Sequence, residues 1–480
     1  MKKRITLNYV YNVAYQILLV LTPLITTPYI SRVLGANGIG EYSYANSIVS
    51  YFVIFAGLGT ATLGKREVSY VQDNVKERSV VFWETEITCA CMSLLATVLY
   101  GFTVLKNTSF SILYTVLTLN ILSVGVNITW FYQGLEEFGK IVIRNVVIKL
   151  LSIICIFAFV KTEEDLWIYV MCMVAPLFLG NMALWIGLPQ YIQKVSISEL
   201  NLKRNIMENI KLFIPTIAVQ IYTVVDKTML GLFTENAVEN GYYEQAEKVA
   251  KIALSVVTSL PVVIAPRIGK LISENRKNDI LDYMYRSYSV VWAMSIPIFF
   301  GIAAIASNLV PWFYGNEFTK VVGLLYILGF LAVPIGINNV TSFQYLIPMK
   351  KENIFTKTVF IGALINFVLN MILIPRFFSV GAAIASVFAE TVIALVQIIY
   401  IRNELSLTKI LSCAKKYFVA GFCMFVIVKI LSAYMPSSPV FTVLLIIIGM
   451  ICYSILVVSL KDTIAIEILN SIGVLLKNKK

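Results

Sequence analysis

Lysine and arginine alternate along this chain in a way that only a membrane sorts. The basic start Lys2, Lys3 and Arg4 precedes an apolar stretch, and every second connection after it is basic again. One connection holds Lys65, Arg66, Lys76 and Arg78, a later one Lys194, Lys203, Arg204 and Lys211, and the next Arg267, Lys270, Arg276, Lys277 and Arg286. Lys350, Lys351 and Lys357 follow, then Arg402, Lys409, Lys415 and Lys416, and the end carries Lys461, Lys477, Lys479 and Lys480. The intervening connections hold mostly one basic residue each: Arg32, Lys106, Lys161, Lys320 and Arg376. Loops on the cytoplasmic side of a membrane carry the excess of Lys and Arg. The crowded side is therefore expected to be cytoplasmic, with both termini on it.

Apolar runs of about 20 residues cross a bilayer as helices. Fourteen such runs are predicted, at roughly 9–29, 42–64, 80–103, 110–133, 143–160, 167–188, 211–233, 248–268, 286–306, 321–347, 355–375, 380–401, 416–434 and 440–460. The chain is 58% hydrophobic and 14% charged, whereas a soluble domain carries about 25% charged residues. Little length is left for a soluble catalytic domain. The net charge of +12 is spread along one membrane face, where anionic lipid favours it, so no nucleic-acid partner is expected. The apolar stretch after the basic start runs on to about Tyr29 without a small-residue cleavage site and reads as a span that is retained.

The polar stretch 189–210 reads as a linker between halves. The expected fold class is an all-α polytopic membrane protein of 14 transmembrane helices. An N-terminal six-helix bundle covers 1–190 and a C-terminal one 211–402, related by a pseudo-two-fold along the membrane normal. Two further helices lie within 416–460, and 461–480 forms an amphipathic tail on the cytoplasmic leaflet. The repeat is read from matched motifs. Leu34-Gly35 and Gly40-Glu41-Tyr42 after span 1 correspond to Leu230-Gly231 and Gly241-Tyr242-Tyr243-Glu244-Gln245 after span 7. Asn127-Ile128-Thr129-Trp130-Phe131 at the end of span 4 corresponds to Asn339-Val340-Thr341-Ser342-Phe343 at the end of span 10.

Catalytic and metal signatures are missing. The chain has no histidine, which removes the Ser-His-Asp and Cys-His sets and the commonest metal ligand. No phosphate-binding glycine loop is present. All seven cysteines lie in apolar segments without a CxxC pair and read as reduced thiols. No cofactor, metal or catalytic residue is expected. The informative residues are charges inside apolar segments, which are costly in hydrocarbon and turn toward protein or water. Arg32, Arg144, Lys149, Asp226 and Lys227 are the candidates for lining a cavity, and Asp226 or Glu390 for coupling to an ion. Lys429 lies outside the paired halves and reads as a lipid or interface contact. Pro23, Pro28 and Pro215 mark bends in corresponding spans.

Thr27-Pro28-Tyr29-Ile30-Ser31-Arg32-Val33-Leu34-Gly35 and its continuation to Gly40-Glu41-Tyr42-Ser43 resemble the start of the polysaccharide repeat-unit flippases. These belong to the multidrug/oligosaccharidyl-lipid/polysaccharide exporter superfamily. Trp130-Phe131-Tyr132-Gln133-Gly134, Asp226-Lys227-Thr228-Met229-Leu230-Gly231 and Tyr242-Tyr243-Glu244-Gln245-Ala246 are similar to further stretches of that family. Gly35, Gly40, Trp130, Gln133, Gly134, Gly231, Tyr243 and Gln245 are the motif positions. The resemblance implies a transporter in the bacterial cytoplasmic membrane, not an enzyme. Its cargo would be an undecaprenyl-diphosphate-linked oligosaccharide destined for capsule, O-antigen or exopolysaccharide assembly. Cavity cations would meet the diphosphate, H+ or Na+ would couple the cycle, and membrane lipids, a polymerase and other assembly proteins would be partners. Two alternatives stand beside it: a cation-coupled multidrug exporter of the same superfamily, which calls for a mainly acidic cavity, and a polysaccharide polymerase, which calls for a large outer loop.

Overall fold

The computed structural model describes residues 2–108, 111–234, 236–462 and 466, and their regular structure is helical throughout. Hydrocarbon offers backbone groups no hydrogen-bond partner, so a spanning segment must satisfy them within itself. Among the described residues, 10 helical stretches are long and apolar enough to cross a membrane. The basic end of the chain, expected as an amphipathic tail over 461–480, lies outside the described residues apart from 461, 462 and 466.

Two of the stretches, Leu21–Tyr70 and Glu352–Ile401, run for 50 residues each. A straight helix of that length would extend about 75 Å, far beyond a hydrocarbon core of about 30 Å. Both are interrupted where the sequence predicts one span to hand over to the next. Helix α1 (Lys2–Gly57) leaves helical geometry at Gly35, with φ 64 and ψ −178, a region open to glycine alone in practice. The later break, at Phe378 (φ 53, ψ −130), has no glycine to ease it.

Contacts gather the chain into two units. The first comprises residues 1–231 with 236–241. After α1 it contains α2 (Thr60–Tyr70), α3 (Val75–Tyr100), α4 (Ile112–Gly125), α5 (Thr129–Gly134), α6 (Phe138–Phe159), α7 (Leu166–Ile186) and most of α8 (Leu202–Phe233). Helix α3 packs on α1, α2 and α4, α5 on α2, and α6 on α1 and α7. Helix α8 begins two turns before the apolar stretch predicted for it. Its first turns are polar but held: Asn205 Nδ2 donates to Thr85 Oγ1 at 3.3 Å and Asn209 Nδ2 to Asn205 Oδ1 at 2.8 Å.

The second unit, 232–235 with 242–480, contains most of α9 (Val238–Ser273), then α10 (Lys277–Phe313), α11 (Lys320–Leu328), α12 (Ala332–Asn339), α13 (Glu352–Ile401), α14 (Leu407–Tyr434) and α15 (Pro439–Ser459). Helix α10 is its axis, packing on α11, α12, α14 and α15, with Met284, Tyr288, Val291 and Ala304 buried along it. Lys429 Nζ donates to Ser307 Oγ at 2.9 Å and Tyr326 Oη at 2.8 Å. It ties α14 to α10 and α11 instead of meeting lipid. At the end of α13, Glu404 accepts from Lys351 Nζ at 2.5 Å and from the Tyr345 hydroxyl. Burial presses the Glu404 carboxyl upward, but these two donors outweigh it and hold the group below the usual carboxylate range.

Two outcomes are expected. Gly35→Ala destabilises the protein by about 1–3 kcal/mol, read as a lower Tm in detergent; an unchanged Tm would mean the break is unstrained. Glu404 stabilises the fold above the ordinary carboxylate value of about 4.3, and that contribution disappears as pH falls through the depressed native value. Glu404→Gln therefore flattens the acid limb of the pH–Tm profile, and an unaltered acid limb would exclude the tie.

Candidate functional site

In the first unit, the candidate cations separate onto different sides of one helix. Arg144 and Lys149 lie five residues apart on α6, which turns them about 140° from each other. Arg144, with Lys140, lines a largely apolar groove of about 960 Å³ between α6 and α7. Its guanidinium donates to Asn145 Oδ1 at 3.1 and 2.6 Å and also to Asn181. Lys149 shares a helix face with Val142, Ser152 and Ile156, which are buried. Half-buried itself, it makes no hydrogen bond or ion pair among the described residues. Arg32 is exposed just before the Gly35 break in α1 and donates to its own helix, Nη1 to Pro28 O at 3.0 Å.

Asp226 and Lys227 sit about two turns before the end of α8, where helix α8 meets the second arm of α1. Asp226 is 7% exposed, and it lies close enough to the Tyr51 hydroxyl to act on it electrostatically. Tyr51 Oη and Thr228 Oγ1 are 3.0 Å apart, and Thr228 Oγ1 donates to Ser47 Oγ at 2.9 Å. The carbonyl of half-buried Lys227 accepts from Asn240 Nδ2 at 3.1 Å. These bonds stitch α8 to α1 through the polar residues of the Asp226–Gly231 motif.

The motif glycines explain how the backbones come close enough. A Cβ on Gly40 would lie 1.7 Å from the carbonyl oxygen of Ala237, and one on Gly241 would lie 2.1 Å from that of Ala36. At Gly231 it would meet the Tyr44 ring at 2.1 Å. The Trp130–Gly134 motif forms α5 and packs on α2. A Cβ on Gly64 would strike Trp130 at 2.4 Å, and one on Gly134 would meet Val68 at 2.8 Å. Gln72 Nε2 donates to Gly134 O at 2.7 Å. Trp130 is 3% exposed and stacks on Phe82 with ring centroids 5.7 Å apart; Gln133 is half-buried beside them.

In the second unit, Glu390 accepts from Asn338 Nδ2 at 3.0 Å. Buried Tyr243 lies with its hydroxyl 3.2 Å from Ser386 Oγ, and the backbone oxygen of buried Gln245 accepts from Tyr314 Oη at 2.8 Å. Thus these two motif residues hold α9 to α13 and α10. All seven cysteines are free thiols, as expected.

One ionisable group escaped the sequence reading. Glu86 on α3 is 3% exposed, and neither carboxylate oxygen has a hydrogen-bond partner. Its signal was spacing: it shares a buried stripe with Ser79, Phe82, Cys89, Ser93, Ala96 and Tyr100.

The sequence profile of the polysaccharide biosynthesis protein family matches residues 5–272. The chain belongs to this family. An Escherichia coli (strain K12) relative, named as a candidate O-antigen transporter, is 23% identical over 85% of this chain and 98% of its own length. A Haloferax volcanii relative, named as a probable low-salt glycan biosynthesis flippase, is 26% identical over 39% of each chain. Among solved structures, the lipid II flippase MurJ in an inward closed conformation superposes with a TM-score of 0.71 over 94% of this chain and 98% of MurJ, at 13% identity. An inward-facing multidrug transporter of the MATE family matches with a TM-score of 0.62 over 82% and 96%, at 12% identity. These likenesses show that the chain has the fold shared by MurJ and the MATE transporter. The chain is a multi-pass membrane protein, and these relatives carry the names of transporters and flippases, not of enzymes.

Because Lys149 has no partner to lose among the described residues, Lys149→Met is expected to leave Tm unchanged or higher; a half-buried charge in hydrocarbon is a cost. A clear drop in Tm would show that Lys149 holds the fold.

Proposed function

We propose that this protein flips an undecaprenyl-diphosphate-linked oligosaccharide from the cytoplasmic to the outer leaflet by alternating access. The glycan would feed capsule, O-antigen or exopolysaccharide assembly. Support comes from membership of the polysaccharide biosynthesis protein family and from the names of the relatives. The observation that carries the reading is Lys149: a cation half-buried in an apolar helix, with no partner among the described residues.

A diphosphate meets a prohibitive desolvation cost in hydrocarbon. Charge-assisted hydrogen bonds from lysine or arginine offset it, while the lipid tail stays in the bilayer. Lys149 and Lys227 are the residues proposed to meet the diphosphate, with Arg32 at the outer end and Arg144 at the cytoplasmic end of their helices. Asp226 is assigned to the cavity lining beside them and, with Glu390, is a candidate for ion coupling. The reading includes fourteen crossings with both termini in the cytoplasm, which the distribution of Lys and Arg supports.

The test is complementation of a strain lacking its own flippase. Lys149→Ala and Lys227→Ala each lower surface polymer about tenfold or more, the scale of one lost charge-assisted bond of about 1.5–3 kcal/mol, while membrane insertion is retained. Wild-type polymer from both single variants and from the double variant would overturn the assignment. Restored drug efflux without polymer would favour the multidrug reading.

A further inference from the structure

We propose that Glu86 is a buried proton-binding site that couples proton exchange to the transport cycle. Both oxygens of this carboxyl are sealed from solvent and unbonded. Among the described residues, an ionised carboxylate there lacks the countercharge and the protein donors that make a buried charge tolerable. Glu86 is therefore held in this conformation as the neutral acid.

Among the described residues, no charged side chain on the surrounding elements pairs with it. On α2, Arg66 pairs with Glu67 at 2.9 Å and Lys65 is exposed. On α8, Glu208 pairs with Lys211 at 2.8 Å, and Lys203 and Arg204 are exposed. On α3 itself, Arg78 donates to the Tyr191 and Gln72 carbonyls and Glu84 accepts from Asn201 N at 2.6 Å. Helix α4 carries only Tyr114 as a titratable group, and the second arm of α1 only Glu41, Tyr42, Tyr44 and Tyr51. The titratable neighbour that interacts with Glu86 is the thiol of Cys89, one turn along α3.

The surroundings supply what the ionised form would need once it opens. Cys89 lines a cavity of about 280 Å³ with Gly57, Thr60, Asn127 and Trp130, roomy and polar enough for water. Trp130 Nε1 is a buried donor with no acceptor, and Asn209 Oδ1 a buried acceptor with no donor. Trp130 stacks on Phe82, one turn before Glu86, and Asn209 bonds Asn205, which bonds Thr85 beside Glu86. On opening, the carboxyl O–H bond breaks and its proton passes to a cavity water, which departs as hydronium. The carboxylate that remains is then hydrated by cavity water. Reloading reverses the step.

The coupling role rests on the flippase reading, whereas the proton site does not, and two readouts separate them. Infrared spectroscopy of the purified protein in lipid is expected to show a protonated-carboxyl C=O band, and Glu86→Gln to abolish it without lowering Tm. In the complementation strain, Glu86→Gln lowers surface polymer about tenfold or more and Glu86→Asp restores part of it. A spectrum identical to wild type in Glu86→Gln overturns the proton site. Loss of the band with wild-type polymer overturns the coupling. If Lys149→Ala and Lys227→Ala, singly and together, also leave polymer untouched, it is the flippase reading that fails, and the infrared result still decides Glu86.

Discussion

Hydrocarbon leaves no backbone group unanswered, and the structure is organised by how it meets that demand wherever a helix stops being a helix. The break between α4 and α5 shows the solution most fully. Ser93 Oγ donates to Ile121 O at 2.8 Å, Asn181 Nδ2 to Ser123 O at 3.1 Å, Cys89 Sγ to Val124 O at 3.4 Å and Trp185 Nε1 to Val126 O at 2.9 Å. Side chains from α3 and α7 thus cap the carbonyls near the end of α4 one after another. Likewise Tyr29 Oη caps Val160 O at 2.6 Å, just beyond α6. Polar residues in these apolar helices serve the breaks, which is why many of them are buried and so few are charged.

Close packing answers a different demand. Without a hydrophobic drive between helices in lipid, association relies on backbone approach through small residues. The glycines of the Gly35–Gly40 and Gly231–Gly241 stretches supply it for α1, α8 and the start of α9, and Gly64 and Gly134 supply it for α2 and α5. The residues that look like a signature in the sequence are in large part packing residues. Trp130 is both: it fills the space above Gly64 and leaves an indole N–H in a polar recess.

Much of this was legible in the sequence, for physical reasons. Charge alternation and apolar length together predict helical spans, because both follow from the membrane. The two long helices break at Gly35 and near Phe378, close to where span ends were expected. The matched Asn127–Phe131 and Asn339–Phe343 stretches both leave α geometry, the first as a helix break and the second by passing into a π-helix over Val340–Leu346. Orientation was harder. The five-residue spacing of Arg144 and Lys149 says that they diverge, but not which side meets protein. Glu86 was illegible because Glu77, Arg78 and Glu84 precede it, so it reads as the last charge of a polar helix end. The one pointer to its burial is its spacing on the stripe of Ser79, Phe82, Cys89 and Ser93.

The burial of Glu86 also bears on which acid suits a cycle. An acid that binds and releases a proton in one cycle needs a neutral state that is comfortable and a charged state that another conformation can accept. Glu390 already accepts from Asn338, and Asp226 lies beside the Tyr51–Thr228–Ser47 network. Glu86 has no such support in this conformation. Cys89, one helical turn along α3, lines a cavity with room for water, and Glu86 sits on the helix whose Cys89 and Ser93 cap the broken α4. A shift at that break would move the cap, the cavity and the acid together, which is the mechanical link that coupling requires.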